Sequence, residues 1–450
     1  MKRIGMLLML VVLASVMVAP AMAQAPAGCP EGLWSLMSAE LTSACAGELA
    51  GTVVTMTGPF TDADEVKFNE SIADFEAWTG IDIQYTGSKE FEVAITAAVD
   101  GGAAPDIADF PQPGLLKRFV DAGQVVDVNT FMNSEWLSTN YSQSWLDMAN
   151  IGGINAGIWA RYNGKSLVWY PKKAFEEAGY TVPTTWAELT ALADQIVADG
   201  SSPWCVGIES GAATGWPATD WMEEVMLRTT SLENYDNWTL PATPEDRLPF
   251  TSPEVKNAAE TLGTIWFTEN YVFGGREAIA GTFFGDAPTP MFDENPGCYM
   301  HKQGNFITSF FPEGLVAGED YDFFYLPGID EAYGNPFLVA GDIYAMFSDR
   351  PEVRAVMDFF SRGDSLKTWL ASGGALSPHN DAQLEWYGSD VERGIAELVA
   401  GATSLRFDGS DIMPGAVGAG SFWKGMTDWV SGTVDLDTAL AEIDASWPSS

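Results

Sequence analysis

Histidine and positive charge are what this 450-residue chain has least of. Two histidines, His301 and His379, leave little for a histidine-ligated metal site or a histidine-based nucleophilic triad. Only 22 Lys and Arg stand against 62 Asp and Glu, a formal net charge of −40. Nucleic acid and anionic membranes are bound through clustered cations, so the charge argues against both as partners. Charged residues are nevertheless only 19% and hydrophobic ones 46%, which excludes a charge-driven disordered chain. Beyond the N-terminus no stretch approaches the 18 uncharged apolar residues of a membrane span, so the mature chain should be soluble. What remains is an acidic, aromatic-rich globular protein, long enough for two or three domains.

Lys2 and Arg3 precede an apolar run from Met6 to Ala19, Pro20 ends it, and Ala21-Met22-Ala23 fits a small-x-small cleavage site. Residues 1–23 therefore read as a secretory signal peptide, with 24–50 as an N-terminal extension and the periplasm or cell surface as destination. Cys29 would suit a lipid anchor, but Pro26 stands where an aliphatic residue is usual, so plain export is expected. All four cysteines lie in the mature part, and four allow three pairings. The expected pairs are Cys29–Cys45, stapling the extension, and Cys205–Cys298; disulfides suit an oxidising compartment better than thiol catalysis does.

From Gly51 short apolar strands alternate with amphipathic helices. Strands are expected over 52–57 and 81–86 and from Pro105. Helices are expected over 64–78, stopped by Gly80, and over 91–99. Thr185-Trp186-Ala187-Glu188 reads as a capped helix start, and Pro351 opens a helix running to Phe360. Such alternation implies α/β layers with ligands at the carboxyl ends of strands. Gly/Pro-dense stretches near 240–253, 285–297 and 408–420 read as surface loops.

Two motifs fail on inspection. Gly164-Lys165-Ser166 resembles the end of a phosphate-binding loop, but Trp159 stands where that loop needs glycine. Gly415, Gly418 and Gly420 are in the wrong order for a dinucleotide fingerprint and read as a loop opening a helix. No cofactor and no metal site are expected.

The run from Gly157-Ile158-Trp159-Ala160-Arg161 to Phe175, followed by Pro183-Thr184-Thr185-Trp186-Ala187-Glu188, resembles the hallmark segment of extracellular solute-binding proteins of carbohydrate ABC importers, the maltose and α-glucoside type. Pro105 to Phe110 resembles that family's strand-loop presenting an aromatic to the sugar, although maltose binders carry Trp where this chain has Phe110. Gly334 to Phe347 with Pro351-Glu352-Val353 resembles its second crossing strand and helix, and Ile412-Met413-Pro414 to Trp423 its C-terminal segment with a stacking tryptophan. The resemblance implies a two-lobed, maltose-binding-like (type II) periplasmic-binding-protein clamshell with interleaved lobes. Lobe one would be about 50–160 plus 343–380, lobe two 164–336 plus 385–450, with crossings near 160–164, 337–343 and 377–385.

A sugar presents C–H patches and many hydroxyls, so its site needs flat apolar faces beside fixed donors and acceptors. Trp423 holds the family's stacking position, and Phe110 and Asp109 the first-lobe position. Arg161, Gly341 and Asp342 lie in the crossings. Trp216, Asp220 and Trp221 cluster beside a glycine-rich loop, and Asn305 and Phe306 resemble a loop facing the cleft. Glu90 and Phe60 complete the candidates. The function implied is capture of a small carbohydrate, an α-glucoside di- or oligosaccharide, for delivery to ABC permease transmembrane subunits, by a monomer without enzymatic activity. A secreted glycoside hydrolase, needing two catalytic carboxylates, is the rival from another class. A binder of a polyol, glycerol phosphodiester or peptide is a third reading.

Overall fold

The computed structural model describes residues 27–402 and 404–448; the expected signal peptide, 1–23, lies outside the described residues. Among the described residues twelve strands form in chain order: β1 (Val53–Gly58), β2 (Asp82–Gly87), β3 (Ile107–Phe110), β4 (Asn150–Ile151), β5 (Ile154–Asn155), β6 (Ile158–Gly164), β7 (Leu167–Pro171), β8 (Ser202–Trp204), β9 (Cys298–Lys302), β10 (Tyr321–Tyr325), β11 (Pro336–Met346) and β12 (Ser404–Phe407). The N-terminal alternation builds parallel β1, β2 and β3. In β1 the alternation is visible residue by residue, with Val54 and Met56 buried and Val53 and Thr55 exposed. Gly80 stops the Asp62–Thr79 helix because it adopts the left-handed conformation that other residues avoid. Thr185 and Glu188 form the reciprocal capping box expected of them.

Among the described residues three sheets result, one ordered β12-β11-β3-β1-β2 with β6 added against β11, a second ordered β10-β7-β9-β8, and the small antiparallel pair β4-β5. Strand β11 is buried along its whole length. Its start pairs with β12 and its end with β3, while its other edge pairs antiparallel with β6. Leu167 and Trp169 of β7 face the first hydrophobic core, and Val168 and Tyr170 face the second. That strand accordingly reads as continuous apolar sequence rather than alternation.

Both expected disulfides form, with Cα separations of 4.8 Å for Cys29–Cys45 and 5.5 Å for Cys205–Cys298. The sulfur of Cys29 is thus occupied. The extension it staples belongs to the first core: Leu41 and Ala44 are fully buried, the Ser38 amide donates to Asp358 Oδ2 at 2.7 Å, and Arg354 pairs with Glu40 at 3.0 Å. The 408–420 stretch is not the surface loop expected. Asp408, Ser410 and Asp411 are buried, and Gly418 packs so closely that a Cβ there would lie 1.8 Å from the Ser410 carbonyl oxygen. Glycine serves here for close approach rather than for exposure.

Both histidines are buried, His301 with Nδ1 2.9 Å from the Cys205 carbonyl oxygen. Burial pulls His301 down to about 4 and His379 to about 3, from an ordinary 6.5. Each is neutral in the fold and takes up a proton on unfolding below its ordinary value. Stability contributed by this difference is therefore present above pH 6.5 and lost as pH falls toward 4. Denaturant unfolding across that range should show the decline, and His301→Gln should flatten it.

Candidate functional site

The paired strands β6 and β11 carry the floor of the site. Asp342 stands directly opposite Arg161 in the antiparallel register, which shifts only after it, between Asp342 and Ile343. Arg161 Nε donates to Asp342 Oδ2 at 2.7 Å, and its Nη1 lies 3.6 Å from Asp64 Oδ2. The guanidinium also sits over the rings of Phe60 and Trp369, 4.2 and 4.3 Å from their centroids. One residue beyond the end of β6 the chain supplies a second buried cation. Lys165 Nζ bridges Asp220 Oδ1 at 2.8 Å and Asp408 Oδ2 at 2.5 Å, 5.3 Å from the ring centroid of Trp216. Asp220 is presented by the Trp216–Thr229 helix, and Asp408 caps the short helix that follows it through the Asp411 amide. Burial, opposed by Lys165, raises Asp220 to about 7.

Between these clusters lies a cleft whose empty space, about 990 Å³, includes open solvent at its mouth. Phe60, Trp216, Phe283, Phe284, Phe306, Phe310 and Trp423 line it as ring faces and edges. Trp216 packs edge-on against Phe284 at 5.0 Å and tilts against Phe306 at 5.8 Å, which fixes its plane. Trp423 Nε1 donates to Ser410 Oγ at 3.3 Å, and Ser410 Oγ in turn donates to Asp408 Oδ1 at 2.8 Å, so the indole is tied to the Lys165 cluster.

The polar lining is underused by the protein itself. Asp64 Oδ1, Gln112 Oε1, Arg161 Nη1, Asn163 Oδ1 and Asp220 Oδ2 are buried without a hydrogen-bond partner, and all five residues line this cleft. Buried polar groups are ordinarily satisfied, so one donor and four acceptor atoms gathered beside flat rings fit a ligand rich in hydroxyls. Among the described residues no group of His, Cys, Asp and Glu is arranged to hold a metal ion.

Of the residues singled out from sequence, Trp423, Phe60, Arg161, Trp216, Asp220, Phe306, Gly341 and Asp342 line the cleft. Five do not. Phe110 is fully buried against Phe91 at 5.4 Å and Phe119 at 5.8 Å, so strand-end packing claims it. Trp221 faces the second core, edge-on to Trp204 at 5.1 Å. Asn305 turns its carbonyl oxygen to the Gly164 amide at 2.8 Å and braces the crossing strand. Glu90 accepts from the Ala212 amide at 3.2 Å across the mouth of the cleft. Asp109 is sealed behind the floor, neither oxygen hydrogen-bonded, with Gly58 so near that a Cβ there would lie 2.8 Å from its own.

Sequence reasoning missed Lys165, Asp408, Ser410, Asp411, Asp64 and Gln112, all of which line the cleft. Lys165 belonged to a failed phosphate-loop motif, and Asp408 to a run mistaken for a surface loop; adjacency to a crossing strand was the available signal.

Residues 62–372 match the family described as bacterial extracellular solute-binding protein. The chain belongs to that family. It is 41% identical over 395 residues to the osmoprotective compounds-binding protein GgtB of Synechocystis sp., covering 88% of this chain and 92% of that one. It is 40% identical over 413 residues to the alpha-glucosides-binding periplasmic protein AglE of Rhizobium meliloti, covering 89% and 88%. The fold matches the bacterial solute receptor AcbH with a TM-score of 0.76 at 17% identity, over 88% of this chain and 98% of that one, and maltose-bound MalE3 of T. maritima with a TM-score of 0.69 at 13% identity, over 88% and 98%. The architecture is thus the two-lobed clamshell that the four sequence segments implied. Members of this family are exported binding proteins, not enzymes.

Burial and the neighbouring Asp342 charge hold Asp109 well above the usual carboxylate range, against the pull of Arg161. Asp109 therefore stays neutral in the fold but ionises in the unfolded chain above about pH 4, so wild-type stability falls as pH rises beyond that value. Asp109→Asn should unfold at a higher temperature than wild type at pH 7–8, the gap closing near pH 4; scanning calorimetry across that range measures it.

Proposed function

We propose that this protein captures a small uncharged carbohydrate, an α-glucoside, between its lobes and delivers it to the transmembrane subunits of an ABC importer. The observation that carries this reading is the set of unpartnered buried polar atoms beside the Trp216 and Trp423 rings. Rings offer faces to axial C–H groups at low entropic cost, and charged acceptors hold hydroxyls strongly. Micromolar capture needs only about −8 kcal/mol net, within reach of two stacked rings and several such bonds. The α-glucoside-binding relative supports the same class, and the relative named for osmoprotective compounds favours, as a second reading, a glycoside used as a compatible solute.

The cleft's own charges speak against an anionic solute such as a glycerol phosphodiester. Its three cations are already engaged, Lys89 with Asp62 at 3.2 Å, Arg161 with Asp342, and Lys165 with Asp220 and Asp408. Asp64, Glu92, Asp220, Asp342, Asp408 and Asp411 line the same space. The hydrolase alternative fits poorly with acids held in ion pairs by Arg161 and Lys165. In this reading the lobes divide as 50–160 with 343–380 and 164–336 with 385–450, residues 27–50 docking on lobe one. They would close about the β6 and β11 crossings, and closure is the signal a permease reads. The working form is a monomer in the periplasm or at the cell surface, with no cofactor and no nucleic-acid partner.

A thermal-shift screen of the mature protein tests this. Trehalose, sucrose or maltose at about 100 times its dissociation constant should stabilise by about 2.7 kcal/mol, without turnover of the sugar, while a glycerol phosphodiester should give no shift. Loss of any sugar response would sink the carbohydrate assignment. Trp423→Ala should weaken sugar binding more than about tenfold by calorimetry while the ligand-free protein keeps its fold, and unchanged affinity would remove Trp423 from the site.

A further inference from the structure

The walls around the cleft carry information about the length of its ligand. In the first sheet the chain leaves β1, β2 and β3 at one edge, where β11, antiparallel to β3, brings in Gly341 and Asp342, and the second lobe meets the first at three separate places. Beyond Gln112 and Asp411, which line the cleft, Gly114 at the start of the Pro113–Asp121 helix meets the backbone of the 411–413 segment. A Cβ on Gly114 would lie 1.9 Å from the Met413 carbonyl oxygen and 3.1 Å from that of Asp411. At the β2 end, Glu90 Oε1 accepts from the Ala212 amide at 3.2 Å, and the neighbouring Lys89 ammonium sits 4.5 Å from the Phe283 ring centroid. On the third side Lys67 Nζ, from the Asp62–Thr79 helix, donates to Ser309 Oγ and to the Gly373 carbonyl oxygen, both at 2.8 Å. The crossing strands β6 and β11 close the fourth.

We infer that the closed cleft is sealed at both ends, admitting a glycoside of one or two rings and rejecting longer chains, with Gly114 as the specificity-determining residue at one end. This rests on the carbohydrate reading above. A third sugar ring would have to leave past either Gly114 or Glu90, and leaving past Gly114 means breaking a backbone approach that only glycine permits. Its φ is ordinary for a helix, so the constraint is the neighbouring lobe and not local strain. Alanine at this first-turn position is at least as favourable for the helix itself. A methyl group there therefore opposes closure of the lobes without weakening the helix that carries it.

The test is calorimetric titration of the full mature protein with glucose, trehalose, sucrose, maltose, maltotriose and maltotetraose, on wild type and Gly114→Ala. Wild type should bind its preferred two-ring sugar at least tenfold more tightly than any three- or four-ring α-glucan. Gly114→Ala should lose at least tenfold in affinity for that two-ring sugar, with the melting temperature of the ligand-free protein unchanged, which a merely structural role for Gly114 would lower. Equal affinity of wild type for two- and three-ring ligands overturns the length limit while leaving the carbohydrate reading intact, and unchanged affinity in Gly114→Ala overturns the role of Gly114. Should no sugar bind wild type at all, the carbohydrate reading falls and the length limit with it. The wild-type series alone decides the length limit even if the variant folds poorly.

Discussion

A buried guanidinium is expensive to keep out of water, and the placement of Arg161 makes several other features necessary. Desolvating such an ion costs several kcal/mol, recovered only by good geometry and additional partners. Asp342 on the adjacent strand supplies the ion pair, Asp64 a second negative charge, and the faces of Phe60 and Trp369 cover the flat sides. Each partner comes from a different part of the chain: the second crossing strand, the first turn of the Asp62–Thr79 helix, the loop after β1, and the Lys367–Ser372 helix. Satisfying one cation therefore fixes the relative positions of four segments, and it does so at the junction of β6 with β11. The same requirement leaves one guanidinium nitrogen free of hydrogen bonds beside the cleft.

Lys165 repeats the device. One ammonium holds Asp220 and Asp408 in place, Asp408 orients Ser410, and Ser410 accepts from Trp423. Acceptors are thus held in position before any ligand arrives, so little ordering remains to be done on binding. The two clusters face each other across the space they enclose, each offering acids already balanced in part by its own cation. An arrangement of this kind favours neutral, hydroxylated ligands and leaves no spare cation for an anion.

Much of this was legible from residues alone. Strand alternation before Phe110, the glycine stop at Gly80, the Thr185–Glu188 capping box and the proline-initiated 351–360 helix are local signals, and they formed within a residue or two of where they were read. Phe110 and Trp221, which do not line the cleft, were not separable from lining rings, because an aromatic at a strand end or on a buried helix carries the same local pattern whether it meets a ligand or a core. Asp408 and Ser410 were passed over because glycine and proline around them mimic a surface loop, whereas Gly418 there permits close packing.

The sequence by itself determined the class of fold and the export context, since these depend on periodicity, composition and contiguous motifs, whereas of the three pairings open to four cysteines the structure selected one. Tertiary structure alone decided which acids share Lys165, which polar atoms remain unpartnered, and where the lobes meet. Lys165 and Asp408 are separated by most of the chain, and the contact of Gly114 with Met413 has no trace in either local sequence. Long-range pairing of buried charges and backbone approach across a cleft are properties of the assembled chain, because burial and distance exist only once it has folded.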